Sequence, residues 1–302
     1  MAAQGSRSDS GHAQAISHTL MAWFDDNARD LPWREVDRDP WGVLVSEVML
    51  QQTPVSRVEP IWREWMQLWP TPAAMAAASP ADVLTKWDRL GYPRRALWLR
   101  ECATVITNEH AGAVPSTYNE LIALPGIGDY TASAVLAFAF KQRAIVLDTN
   151  VRRVISRIEF GHALPRTSAP TAVERAAADA LWPTADTQAA HAAIAFMEFG
   201  SLICQARTPQ CERCPVSQDC AWLTAGKPAP DKQPKKQAKF EGSDRQVRGR
   251  VLALLRANAT ASTEQLLAHA EVDEARLSLV VQGLIADGLL EQPSPSIYSL
   301  PR

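Results

Sequence analysis

Leu124-Pro125-Gly126-Ile127-Gly128, lying between one apolar helical pattern over residues 117–124 and another over 130–140, is the stretch on which the fold turns. Two glycines in so short a turn let the backbone take positive φ and approach a partner closely, and the helix that follows offers unpaired N–H groups at its start. Asp129 stands where it would cap that second helix. Read this way, the segment is a helix-hairpin-helix that grips phosphate through the amides around Gly126 and Gly128. That gives a chain of net charge −2 a way to hold a polyanion. A plain glycine-capped turn between two helices fits the same residues.

Outward from the hairpin, helical periodicity dominates. Ile16, Leu20, Trp23 and Phe24 follow the i, i+4, i+7, i+8 spacing of an amphipathic helix, and Asp39-Pro40, Ser79-Pro80 and Pro115-Ser116 read as helix starts. Alternating strand-like runs are nearly absent as far as residue 224, so the main body is expected to be all-α. Residues 1–11 are rich in Ser and Gly and are expected to be disordered. Residues 225–242 read as a linker of Pro, Lys and Gly with nothing to bury. Beyond it, Val247, Val251, Leu254 and Leu255 predict one helix, Leu266 and Leu267 a second, and Leu277, Val281, Leu284 and Ile285 a third that Gly288 stops. A tail over 289–300, broken by Pro293 and Pro295, suits a β-hairpin, so residues 243–302 predict a small winged-helix-like module.

At 302 residues the chain exceeds one average domain, and nearly half its residues are apolar. No run is long and charge-free enough to span a bilayer, and the N-terminus carries no apolar signal region, which predicts a cytoplasmic protein with no membrane partner. Over residues 227–256 nine Lys or Arg face three Asp or Glu; this is either a solvated linker and helix face or a segment that tracks phosphates.

Four of the five cysteines fall in Cys204-x6-Cys211-x2-Cys214-x5-Cys220, with Cys102 alone on an apolar helix as a small core residue. A secreted disulfide framework would spread its cysteines, whereas four thiolates in one short segment bind zinc or an iron–sulfur cluster. Spacing alone does not choose between them. The loop between the first two ligands presents Arg207, which could meet a phosphate, so the site reads as structural and DNA-positioning.

Two carboxylates stand out. Glu47 lies within Trp41-Gly42-Val43-Leu44-Val45-Ser46-Glu47-Val48-Met49-Leu50-Gln51-Gln52, where burial would favour its protonated form and suit a general acid. Exposure on a polar stripe beside Gln51 is the other reading. Asp148 follows the apolar run 144–147 and precedes Asn150-Val151-Arg152-Arg153-Val154, so it is either a simple helix cap or an anion kept ionised by the helix N-terminus. As a pair, two carboxyl groups with opposed environments form the pattern that cleaves glycosidic bonds through a cation-like transition state.

Taken in order, Leu31-Pro32-Trp33-Arg34, Ser46-Glu47-Val48-Met49-Leu50-Gln51-Gln52-Thr53, Leu90-Gly91-Tyr92, the hairpin, Asp148-Thr149-Asn150-Val151-Arg152-Arg153-Val154 and the cysteine quartet resemble the MutY-type adenine DNA glycosylases over residues 12–224. The resemblance implies a helix-hairpin-helix glycosylase fold: a six-helix barrel over 31–140 beside a cluster domain of 12–30 plus 141–224. It implies that Cys204, Cys211, Cys214 and Cys220 hold a [4Fe–4S] cluster. It further implies that Glu47 protonates N7 of a flipped adenine, Asp148 meets the oxocarbenium ion, and Tyr130 and Asn150 support them. Trp33, Arg34, Gln52, Thr53, Leu90 and Tyr92 would contact the bases, in a monomer acting on duplex DNA with adenine opposite 8-oxoguanine or guanine.

Pro93 replaces a second tyrosine of many relatives, and Thr149 a glycine. The stretch after Gly242 is too short for the Nudix-like domain with which relatives recognise 8-oxoguanine. Relatives of endonuclease III cut the strand with a lysine where this chain has Tyr130, so a hydrolytic enzyme is expected here rather than a lyase. A mismatch thymine glycosylase shares the scaffold, and a non-catalytic winged-helix DNA-binding protein with a structural metal would leave Glu47 and Asp148 as coincidences.

Overall fold

The computed structural model describes residues 10–35, 39–231 and 239–302. It is built mainly of α-helices, and the chain divides into two compact units that each draw on separate stretches of sequence.

The first unit gathers residues 1–43, 116–122 and 128–234. Its N-terminal helix, Ser10–Asn27, lies on Asp186–Leu202 and Ala172–Leu181. The small side chains Ala189, Ala190, Ala192 and Ala193 let helices approach closely there, and Ile16, Leu20, Trp182, Phe196 and Phe199 fill the core. Burying a side chain of that size contributes roughly 1.5–3 kcal/mol. The Ser17 hydroxyl donates to the Leu181 carbonyl, tying the first helix to the end of another 164 residues away. The helices Asp129–Phe138 and Thr149–Ile158 also pack on Asp186–Leu202.

The second unit gathers residues 44–115, 123–127 and 235–302. Val55–Leu68, Pro72–Ala76, Pro80–Trp87 and Arg94–Glu109 form its helical body around a tryptophan cluster in which Trp65 meets Trp69 and Trp87 edge-on at 4.9 and 5.5 Å. The indole N–H groups of Trp65 and Trp87 donate to the carbonyls of Lys86 and Gly91, so neither is buried unpaired. In the same unit the helices Asp244–Ala257, Thr263–Ala270 and Glu274–Ala286 pack together. The first of them rests against Pro80–Trp87, with Arg256 donating to the Leu84 carbonyl at 3.0 Å.

Several sequence expectations are modified. Helix begins at Ser10, inside the stretch 1–11 expected to be disordered; residues 1–9 lie outside the described residues, as do 232–238 of the expected linker. The compact units do not follow the boundaries 12–30 plus 141–224 and 31–140: residues 31–43, 116–122 and 128–140 group with the first unit, and residues 243–302 group with the helical body of the second. The C-terminal hairpin of Glu291–Ser294 and Ile297–Ser299 gains a third strand, Thr260–Ser262, which pairs antiparallel with Ile297–Ser299. Three residues are too few to show an alternating pattern, so that strand had no signature in the sequence.

Candidate active site and cysteine centre

The helix Pro40–Leu50 starts at Asp39, whose carboxylate accepts the Trp41 amide at 2.7 Å. Two turns on, Glu47 is buried, with only 3% of its surface exposed; this removes the reading in which it sits on an exposed polar stripe. Asp148 caps Thr149–Ile158, accepting the Val151 amide at 2.6 Å and the Asn150 side-chain amide at 2.7 Å. Burial pushes the Asp148 carboxyl above the ordinary aspartate range, against these donors and the nearby Arg153 guanidinium. The helix N-terminus was expected to keep this group readily ionised, but desolvation outweighs it. Asp148 and Asn150 thus form one hydrogen-bonded pair, while Tyr130, half-buried at the start of Asp129–Phe138, has its hydroxyl 3.6 Å from the Met197 sulfur.

At the hairpin, Gly126 takes φ +73° and its surface is open, as is that of Gly128. Asp129 is not the cap expected of it. Gly128 occupies the cap position without a side-chain bond, and the Asp129 carboxylate is taken by the Tyr118 hydroxyl at 2.8 Å and by Arg175 at 2.9 Å. A β-carbon at Gly126 would fall 2.7 Å from Cβ of Trp98, so only glycine fits.

Two more turns carry left-handed residues that are not glycine: Gln52 at φ 56° and Tyr92 at φ 48°. Tyr92 is exposed and Leu90 buried. Arg95, which the sequence reading did not single out, holds both turns. From a 5%-exposed position its guanidinium donates to the carbonyls of Val48 and Gln51 at 2.7 Å and of Gly91 at 3.1 Å, and to the Thr53 hydroxyl at 3.2 Å. Thr53 in turn donates to the Leu90 carbonyl at 3.0 Å. Burial lowers the Arg95 pKa to about 10, which still leaves the group charged at neutral pH.

Trp33 and Arg34 lie in the first unit on a short 3-10 turn, Pro32–Arg34. Arg34 Nη2 donates at 3.0 Å to Glu198, which also receives three bonds from Arg29, two from its guanidinium at 2.7 and 2.6 Å and one from its backbone amide at 3.1 Å. The Glu198 side chain is 1% exposed; burial alone would push its carboxyl up, but the two guanidinium groups hold it at about 2. Among the described residues, Arg34 Nη1 is buried with no hydrogen-bond partner.

The four cysteines of the quartet form no disulfide and line one largely apolar cavity with Ile158, Phe199, Val216 and Trp222. Short 3-10 turns, Cys211–Arg213 and Ser217–Asp219, shape the segment. Burial pushes the thiols of Cys204, Cys214 and Cys220 up, that of Cys214 to about 12, so an apolar wall favours thiols where a bound positive body would favour thiolates. Among the described residues no three His, Cys, Asp or Glu side chains converge as a single ion requires. Four soft thiol donors on one cavity are the ligand type that both zinc and iron–sulfur clusters take. Arg157 braces the site: its Nη1 lies 3.2 Å from the Cys204 sulfur, and its guanidinium stacks 4.6 Å from the Trp222 ring.

Residues 45–182 match the HhH-GPD superfamily of base excision DNA repair proteins, and residues 204–220 match the iron–sulfur binding domain of endonuclease III. An adenine DNA glycosylase of Mycobacterium tuberculosis is 48% identical over 290 residues, 95% of this chain and 94% of that protein. The chain belongs to the adenine DNA glycosylase family. A human member is 37% identical over 224 residues, which is 70% of this chain and 40% of the human protein. Among solved structures, a thermostable thymine-DNA glycosylase aligns with a TM-score of 0.65 at 27% identity, over 72% of this chain and all of that one.

As a member of this family, the chain carries a [4Fe–4S] cluster domain over residues 204–220, the segment that contains the four cysteines. The adenine DNA glycosylase scaffold also reveals Arg153, a second arginine that periodicity could not mark. It donates from Nε to the Cys204 carbonyl at 2.7 Å and from Nη2 to the Asn150 side-chain oxygen at 2.8 Å, joining the cysteine segment to the Asp148–Asn150 pair. Gly200 allows this junction, since a β-carbon there would fall 2.8 Å from Cβ of Asn150.

Proposed function

We propose that this glycosylase hydrolyses the N-glycosidic bond of adenine mispaired with 8-oxoguanine or guanine in duplex DNA, leaving an abasic site. The burial of Glu47 carries the reading, because a carboxyl group removed from water favours its protonated form and can donate. Glu47 gives its proton to N7 of the extruded adenine. The electrons of the C1′–N9 bond then leave with the base. Asp148, as the anion held by the Val151 amide and the Asn150 side chain, faces the positive charge that develops at C1′. Water adds at C1′ and gives its proton to the Glu47 carboxylate, which restores the acid, so adenine and an abasic sugar are released. Tyr130 carries no amine, and a Schiff base therefore has no nucleophile at that position.

The other residues hold the substrate. Amides around Gly126 and Gly128 bind phosphate, Trp33 and Arg34 meet the flipped base, and Gln52, Thr53, Leu90 and Tyr92 engage the opposite base and its stack. Extruding a base costs a few kcal/mol, less when it is mispaired. The iron–sulfur cluster supplies a rigid fold for residues 204–220 and keeps its thiolates charged in an apolar wall. The protein acts as a monomer in the cytoplasm or on the nucleoid.

Single-turnover base release from duplexes with A opposite 8-oxoguanine, A opposite G, T opposite G and A opposite T tests the proposal. Adenine released from the first two duplexes alone is the expected result, and thymine release from the third would replace it with the thymine glycosylase reading. Glu47→Gln should abolish release while duplex binding survives; wild-type activity in that variant removes Glu47 as the acid.

A further inference from the structure

Trp98 departs from the other tryptophans, most of which are buried: it is 39% exposed. It stands against the hairpin at Gly126, where its Cβ fills the space a side chain would need. One helical turn earlier, Arg94 lays its guanidinium over the indole at 5.0 Å from the ring centroid. The same guanidinium donates from Nη1 to Asp287 at 3.2 Å, and the second oxygen of Asp287 is taken by Arg248. Asp287 ends the helix Glu274–Ala286, so the C-terminal helices supply the group that fixes Arg94. The side chain of Arg94 is nevertheless 48% exposed, and two cations on one anion leave a net positive charge at this surface. Two residues before Arg94, Tyr92 is 53% exposed on a left-handed turn.

We infer that Arg94 is a further DNA-binding residue, meeting a backbone phosphate of duplex DNA between the Tyr92 turn and the Gly126 hairpin. Trp98 sets the plane of its guanidinium and Asp287 its rotation. A planar cation stacked on one side and hydrogen-bonded on another loses little freedom when it meets an anion. Arginines that only hold the C-terminal helices together, such as Arg276 on Asp244, lack this half-open arrangement on an indole. The inference rests on the glycosylase reading above, which supplies duplex DNA as the ligand.

Duplex affinity measured across a salt series, using a duplex with A opposite 8-oxoguanine and the full-length, cluster-loaded protein, tests it. Arg94→Gln should weaken binding about five- to tenfold at 100 mM salt and lower the slope of log K against log salt by about one. Arg94→Lys should keep the slope and bind about two- to threefold more weakly, and Trp98→Leu should also keep the slope while losing affinity. Base release under saturating enzyme should stay within about twofold of wild type in all three, with unchanged thermal unfolding and visible absorption. Wild-type affinity and slope in Arg94→Gln would overturn the inference even if the enzyme releases adenine normally. Failure of the wild-type protein to release adenine would instead sink the glycosylase reading, and the salt slopes would still report whether Arg94 touches DNA.

Discussion

Among single residues, Glu198 shows how burial and charge divide the work. Its carboxyl is held at about 2 against an unperturbed value of 4.5, so the stabilisation is complete above about pH 4.5 and is lost as the pH falls toward 2. A shift of that size corresponds to roughly 3 kcal/mol. Glu198→Gln should therefore lower stability by about that amount at pH 7, and its deficit relative to wild type should shrink in denaturation curves taken between pH 4.5 and 2. Asp148 moves the other way. Because burial raises its carboxyl, the acid limb of the base-release profile should lie above the usual aspartate value of about 4. Asn150→Ala removes a donor to the anion and should push that limb higher still; a limb at the same pH in both proteins would argue that Asp148 is not the group titrating. The burial of Glu47 and the capping role of Asp148 were each legible from their own surroundings in sequence. Glu198 was not, because the arginines that define it come from a turn more than 160 residues away.

At the level of elements, the turns that carry the proposed DNA contacts depend on a few unusual residues. Gly126→Ala would force a β-carbon into a left-handed conformation and onto Trp98, at a cost of roughly 1–3 kcal/mol. Chemical denaturation would read that loss, and duplex affinity should fall with it. Arg95→Met should leave the carbonyls of residues 48, 51 and 91 without their shared donor, so amide hydrogen exchange should quicken at both the 51–53 and 90–92 turns; a change at one turn alone would show that Arg95 does not couple them. Helix positions were readable because periodicity and caps are local, as at Ser79, which accepts the Asp82 amide as expected. Arg95 was not readable, since backbone carbonyls accept from any arginine and leave no mark in the sequence. Asp129 misled for a related reason: Arg175, its ion partner, lies 46 residues further along the chain.

Over the whole molecule, the cysteine quartet announced itself by spacing, and the match of residues 204–220 to the iron–sulfur binding domain of endonuclease III then chose a cluster over a single ion. Cys214→Ser should yield protein with little iron and no visible absorption band, and with less helix than wild type by circular dichroism; full iron content in that variant would remove Cys214 from the ligand set. A discontinuous two-part division was expected from the resemblance, but the exact bounds of the two units were not legible, because they follow from contacts between stretches far apart in sequence rather than from any linker composition. The bond from Ser17 to the Leu181 carbonyl has a consequence for biogenesis. On a ribosome adding about 5–20 residues per second, the first helix waits some ten to thirty seconds for its docking surface to be made. The last cysteine emerges later still, so completion of the cluster follows translation of most of the chain, and a cell short of iron would accumulate finished polypeptides that lack it.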